Sequence, residues 1–323
     1  MRRLIAIVLT ALVSCQQPHS GPHDTVYVSN ESLDMVQMID GATGERVGQI
    51  ATGARPRGIV VSPDGKRLYV AAGNADRIDV IDLASRRRIG LLASGSDPER
   101  FAVSPDGATL YIANEDHSSA RILDVATDTP RCEVTVGAEP EGVGISPDAR
   151  TLVVTSETAS TAHFINPRDC TLLDSKMVGN RPRSVLFADH GRQVWVSSEQ
   201  RGTITIFDTR SRDPIATIDL VEQLPDVDPV QAVEMVATRD GKRIFVALGR
   251  GDKVAEINPA TRKVVRTFAV GHRNWGIALS PDEHRLYAAA GLSGDLTIVD
   301  LDANRVVQTV ELGGRPWGVT VTR

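Results

Sequence analysis

Apolar residues in this chain fall in short alternating runs with no helical period, and the runs recur. Between Arg57 and Gly95 the sequence RGIVVSPDGKRLYVAAGNADRIDVIDLASRRRIGLLASG holds four of them, rich in Val, Ile, Leu and Tyr. Pro-Asp-Gly, Gly-Asn-Ala-Asp and Asp-Leu-Ala-Ser turn signals divide them. The SPDG-type turns that begin at Ser62, Ser104 and Ser146 lie 42 residues apart. A fixed period of this length, with four strands and no helix in each unit, predicts the blades of a β-propeller.

Two markers count the blades. An acid or amide closes the third strand of each unit at Asp40, Asp82, Asp124, Asn166, Asp208, Asn258 and Asp300, in steps of 42, 42, 42, 42, 50 and 42. An aromatic or apolar residue opens the second strand at Tyr27, Tyr69, Tyr111, Val153, Trp195, Phe245 and Tyr287. Both give seven units and one insertion of eight residues. The C-terminal WGVTV run (Trp317–Val321) has no second strand after it, and the N-terminal TVYVSN run from Thr25 has no first strand before it. They are expected to share one blade, which closes the ring and leaves no open sheet edge. The expected fold class is therefore all-β: a seven-bladed propeller of four antiparallel strands per blade, over residues 25–323, as one domain and a monomer.

Composition changes the picture little. At 41% hydrophobic and 24% charged the chain is ordinary for a globular protein, and its net charge of −5 with no basic stripe argues against nucleic acid. The N-terminus is more telling. Arg2 and Arg3 precede an apolar run, Leu4–Val13, that is too short to span a bilayer and fits a secretory leader. It ends Leu12-Val13-Ser14-Cys15, which resembles a bacterial lipobox. On that view residues 1–14 are the signal peptide, Cys15 carries the lipid and 15–24 form a tether. Loss of Arg2 and Arg3 takes the net charge from −5 to −7. Gln16 after the cysteine favours the outer membrane and thus a periplasmic, lipid-anchored protein; the alternative is an ordinary leader with a chance cysteine. The remaining cysteines, Cys132 and Cys170, fall at the outer edges of neighbouring blades, where strands splay apart, and a disulfide is not expected.

Connectivity assigns the loops to faces. The SPDG turns and the Asp-closed turns share one face, near-identical from unit to unit. The loops leading into each innermost strand share the other, with the turns that follow the second strands, and these vary by blade, as functional loops do. Their pattern is G-x-x-P-x-G. The residue after the Pro position is Arg57, Glu99, Glu141, Arg183, Val233, Trp275 and Trp317; the residue before it adds Arg55, Asp97, Glu139, Arg181, Gln231, Arg273 and Arg315. Arg100 and Glu234 lie in the same loops, and the second strands end at Glu31, Glu115, Glu157 and Glu199. One interpretation is a funnel of mixed charge with a tryptophan wall flanked by Arg273 and Arg315, opposite a Glu-rich sector. Such a funnel suits a small anionic ligand or a protein partner. The other is a ring of mutually paired charges with the tryptophans as a plug. The insertion, around Val221–Pro229, lies on this face and is expected to cover the channel. His163 is expected to be structural. The chain contains no GxSxG elbow, HExxH pair, P-loop or dinucleotide fingerprint, and no clustered His or Cys with metal-ligand spacing. No catalytic residue and no metal are assigned.

The repeats resemble the YVTN family of bacterial β-propellers. More narrowly they are similar to the PQQ-dependent catabolism-associated β-propeller proteins. The match is carried by Val26–Glu31, Arg55–Gly58, Asp97–Glu99, Ala113–Glu115, Glu139–Gly142, Thr155–Thr158 with Ala162–Phe164, Arg181–Arg183, Val196–Glu199 and Arg315–Gly318. Ala149, His190 and the lipobox depart from the family pattern. The resemblance implies an exported, non-enzymatic binding or scaffold protein serving PQQ-dependent alcohol catabolism and transport, and leaves PQQ itself as a conceivable ligand. A quinoprotein dehydrogenase would be longer and would carry a Cys-Cys pair, which this chain lacks. The alternative activity is a lactonase-type hydrolase that draws on Arg183, Glu141 and His163.

Overall fold

A computed structural model describes residues 24–322. Seven four-stranded antiparallel sheets form the blades of a closed ring. In blade 1 the C-terminal strand Pro316–Thr322 is innermost and pairs with Thr25–Asn30, which is followed by Met35–Asp40 and Arg46–Ala51. Val26 faces Val321 and Tyr27 faces Thr320, so the two ends of the chain are stitched in one sheet. Blades 2 to 7 follow in order, with innermost strands Pro56–Val61, Pro98–Val103, Pro140–Ile145, Pro182–Ala188, Met235–Ala237 and Asn274–Leu279.

All seven acid or amide markers end the third strand of their blade. Each carboxylate or amide oxygen organises the turn that follows. Asp124 Oδ1, for example, accepts from the backbone N–H groups of Ala126 (3.0 Å) and Thr127 (2.9 Å). The SPDG turns are built the same way each time: Ser62 Oγ donates to Asp64 Oδ1 (2.5 Å) and accepts from Arg67 N–H (2.9 Å), while Gly65 takes φ +70°. Ala149 occupies that left-handed position in blade 4 at φ +53°.

The core lies between blades, because a sheet must bury its apolar face against another element. The residues that open the second strands, from Tyr27 through Trp195 to Tyr287, are all buried. Val26, Val28 and Ile39 of blade 1 pack with Tyr287, Leu296 and Ile298 of blade 7. Nearer the axis the final glycine of G-x-x-P-x-G is required by close approach of neighbouring inner strands. A Cβ on Gly58 would lie 2.7 Å from Glu99 O, and one on Gly318 2.6 Å from Arg57 O.

Two expectations are corrected. Cys132 and Cys170 form a disulfide, with Cα atoms 6.4 Å apart. Cys170 sits in a left-handed turn residue (φ +63°) ahead of its outer strand, and both cysteines pack on the cluster shared by blades 3 and 4, where the sheets have not yet diverged. The insertion does not cover the channel. Its residues form a one-turn helix, Leu220–Gln223, with Leu220, Val227 and Val230 buried between blades 5 and 6. The Gln223 side chain donates to Arg262 O (3.2 Å) and accepts from Val264 N–H (2.9 Å), which fixes it to the outer strand of blade 6. Apolar residues in the insertion outweigh its acids and pull it into the groove between blades. Cys15 and most of the tether lie outside the described residues.

Candidate functional site

A β-bulge aims the variable residues at the axis. In every blade but the sixth, the register slips just after the first position of the inner strand, as between Pro56 and Ile59 or Pro182 and Ser184. In three blades the bulged backbone is held by a second-strand hydroxyl. Ser29 Oγ accepts from Gly318 N–H (2.9 Å), Thr155 Oγ1 from Gly142 N–H (2.9 Å) and Ser197 Oγ from Ser184 N–H (3.0 Å). The residue between Pro and Gly is thereby turned into the funnel. Arg57, Glu115, Glu141, Glu157, Arg183, Arg273, Trp275 and Trp317 line one cavity of about 270 Å³, together with Arg55, Glu139 and Arg181.

Inside it the charges are paired rather than arrayed as opposing sectors. Arg57 Nε meets Glu31 at 2.8 Å and its Nη1 meets Glu99 at 2.6 Å. Arg55 pairs with Asp97 and with Glu99 (2.9 Å). Arg183 is a three-way hub, with Glu141 at 2.9 Å, Glu157 at 2.7 Å and Glu199 at 2.7 Å. Arg181 backs it by pairing with Glu157. Burial alone would lower the pKa of Arg57, but Glu99, Glu141 and Glu31 outweigh it and hold it above the ordinary arginine value. Arg183 is raised for the same reason, by Glu141, Glu199 and Glu157 against its burial. Burial pushes Glu141 up, and Arg183 opposes that shift. Glu99, wholly buried, would also rise, yet Arg57 and Arg55 hold it below the usual carboxylate range. Burial, the Glu99 charge and a hydrogen bond with Glu99 push the neighbouring Glu115 up to about 7.

The tryptophans sit side by side, as their matching positions imply. Their rings stack with centroids 6.2 Å apart and planes 23° from parallel. Trp317 is nevertheless buried, and Arg100 lies 4.5 Å and Arg57 5.8 Å from its centroid. Trp275 is half-buried, with Arg273 at 4.2 Å and Arg183 at 5.2 Å. Neither ring is a bare stacking wall. Arg273 forms no carboxylate pair among the described residues; burial lowers its pKa, opposed by the Glu199 charge and reinforced by Arg250, Arg183 and Arg181. Arg315, by contrast, is exposed, is not among the cavity's lining residues, and is fixed through its backbone, whose N–H donates to Asn30 (2.9 Å) and whose carbonyl accepts from Glu31 N–H (3.0 Å).

His163 stands apart from this cavity. Its Nε2 accepts from Gly137 N–H (3.0 Å), which leaves the proton on Nδ1 to donate to Ser175 Oγ (2.9 Å). Burial lowers its pKa, and the ring is a structural hydrogen-bonding group. Asp97, Glu99 and Glu115 bring carboxylate oxygens within 4.8 Å of one another, but Arg55 already supplies a cation to two of them. The pairings of Arg55, Arg100 and Arg181 were not assigned from sequence, although the alternation of Arg and Glu in the same loops was their signal.

Fold and site define a seven-bladed β-propeller whose charged end carries a network of buried and partly buried ion pairs. No protein-family model and no curated protein matches the sequence. Solved structures share the fold. A hydrazine synthase of Kuenenia stuttgartiensis is 21% identical with a TM-score of 0.75, over 85% of this chain and 92% of that one. A 6-phosphogluconolactonase-like protein of Bacteroides fragilis is 16% identical with a TM-score of 0.76, over 95% and 100%. A Lactobacillus plantarum protein is 15% identical with a TM-score of 0.79, over 93% and 99%. At such identities the likeness concerns the fold alone.

Proposed function

We propose that the protein is a non-enzymatic, exported binding propeller of the YVTN type, associated with PQQ-dependent catabolism, whose charged funnel contacts an anionic ligand or the acidic surface of a periplasmic partner. The observation that carries this is Arg273. It is a half-buried guanidinium braced on Trp275 at the funnel mouth, and no carboxylate among the described residues pairs with it. Every other guanidinium lining the cavity has a carboxylate partner. A bidentate anion would complete the one open cation. The indoles support this contact rather than stack on the ligand, since Trp317 is already covered.

Lipidation at Cys15 is compatible with that role. Asp24, whose carbonyl accepts from Gly41 N–H (2.8 Å), lies on the face of the Asp-closed turns. An anchor nine residues earlier would hold this face within about 30 Å of a membrane and leave the funnel pointing away from it. The lactonase alternative loses its third member, because His163 is tied to Ser175 and Gly137 outside the funnel.

The test uses PQQ as a planar polycarboxylate probe. Saturable quenching of tryptophan fluorescence is expected, with at least a tenfold loss of apparent affinity in Arg273→Ala. Arg315→Ala should weaken it less. Unsaturable quenching, together with equal recovery of periplasmic proteins by wild type and Arg273→Ala, would remove the proposal.

A further inference from the structure

A cavity larger than the funnel lies elsewhere in the ring. It is a cleft of about 950 Å³ on the opposite face, between blades 5 and 6. Its cause is local. The inner strand of blade 6 holds three residues, Met235–Ala237, where the other six hold six or seven. Blade 6 has Ala232 at the position of the proline, which blade 7 also lacks (Asn274), so the short strand and not the missing proline sets blade 6 apart. The shortened strand leaves the cleft on the blade 5 side and a second hollow of about 440 Å³ on the blade 7 side.

We propose that the cleft between blades 5 and 6 is a binding site for an uncharged, mainly hydrocarbon small molecule. Its floor and walls come from Leu186, Phe187, Ala188, Met235, Val236 and Ala237, all but Met235 partly open to solvent. Exposed apolar surface of this kind favours an apolar occupant, and the volume falls in the range of small-molecule sites, about 300–1,000 Å³. The rim selects against ions, because its charges are already matched. Asp189 pairs with Arg192 at 2.5 Å, Asp240 with Lys242 at 3.3 Å, and Arg239 with Glu283 at 3.8 Å. His190 remains at the rim on left-handed backbone (φ +55°), and its ring makes no hydrogen bond among the described residues. One ring free to donate or accept a hydrogen bond beside an apolar well fits a ligand with a single uncharged polar end. This site is independent of the funnel and of the function proposed for it.

The experiment titrates the protein with N-phenyl-1-naphthylamine, a neutral apolar fluorophore. Wild type should show a saturable rise in emission at one probe per chain. Ala237→Trp, which fills the cleft, should weaken apparent binding at least tenfold, and the smaller filler Ala188→Leu should weaken it in the same direction. Thermal melts identify any variant that has not folded. Arg273→Ala, at the other end of the channel, should bind the probe like wild type. No saturable response in wild type, equal binding by both filled variants, or loss of the response in Arg273→Ala would each overturn the proposal. So would sedimentation showing a wild-type dimer that Ala237→Trp dissociates, since the cleft would then be an interface between copies.

Discussion

Arg100, on the inner strand of blade 3, pairs with Glu234, which reaches in from blade 6 on the far side of the ring. Ser184 Oγ of blade 5 donates to the same carboxylate (3.1 Å), and Arg100 also lies over Trp317. The strut and the indole separate the charged funnel from a hollow of about 190 Å³ below, lined in part by Gly58, Gly276 and Gly318. The central channel is therefore divided by side chains, not by the inserted segment.

Breaking that strut should destabilise the ring. Arg100→Ala and Glu234→Ala each remove one member of a partly buried pair, and their coupling in a double-mutant cycle should be about 1–3 kcal/mol. Urea unfolding of the four proteins measures it, and additive effects would show that the pair contributes nothing beyond its separate contacts.

Arg183 is expected to be the most sensitive funnel residue. Arg183→Ala leaves Glu141, Glu157 and Glu199 facing one another with little solvent, at a cost of about 3–5 kcal/mol. Arg183→Lys should recover little of this, because a single ammonium cannot reproduce the guanidinium's directed contacts to three carboxylates. Chemical denaturation checks both.

Glu115 should make stability depend on pH. Its pKa is raised to about 7 by burial and Glu99, so the folded state holds a proton that the unfolded chain releases near 4.5. Stability from this group is full below about 4.5, falls as pH rises, and is gone above about 7. Melting curves of wild type should decline across that window relative to Glu115→Gln, which cannot titrate. Parallel curves would show that the proton is not shared as described.

The disulfide closes a span of 38 residues between adjacent blades. Cys132→Ser with Cys170→Ser, or reduction of wild type, should cost about 2–4 kcal/mol without changing the fold. Thermal melts with and without reductant, alongside circular dichroism, test this.

Blade number, strand order and ring closure were legible in the sequence because they follow from local pattern: alternation with period two, turn residues at fixed offsets, and a 42-residue repeat. Many of the residues that line the cavity were legible for the same reason, since they occupy fixed places in a repeated motif, whereas Arg315 occupies such a place and stays outside the cavity. What tertiary structure decided is how those side chains meet. Arg57 and Glu99 are 42 residues apart and equivalent by sequence, yet they form one ion pair because adjacent inner strands converge at the axis. Arg100 and Glu234 are 134 residues apart, and only the diameter of the closed ring makes them partners. The tryptophans, matched in register, turned out to stack under guanidinium groups rather than stand open. The inserted segment went to the groove between blades because its apolar residues found a gap there. Repeat chemistry sets each blade on its own, whereas contacts across the axis depend on how all seven close.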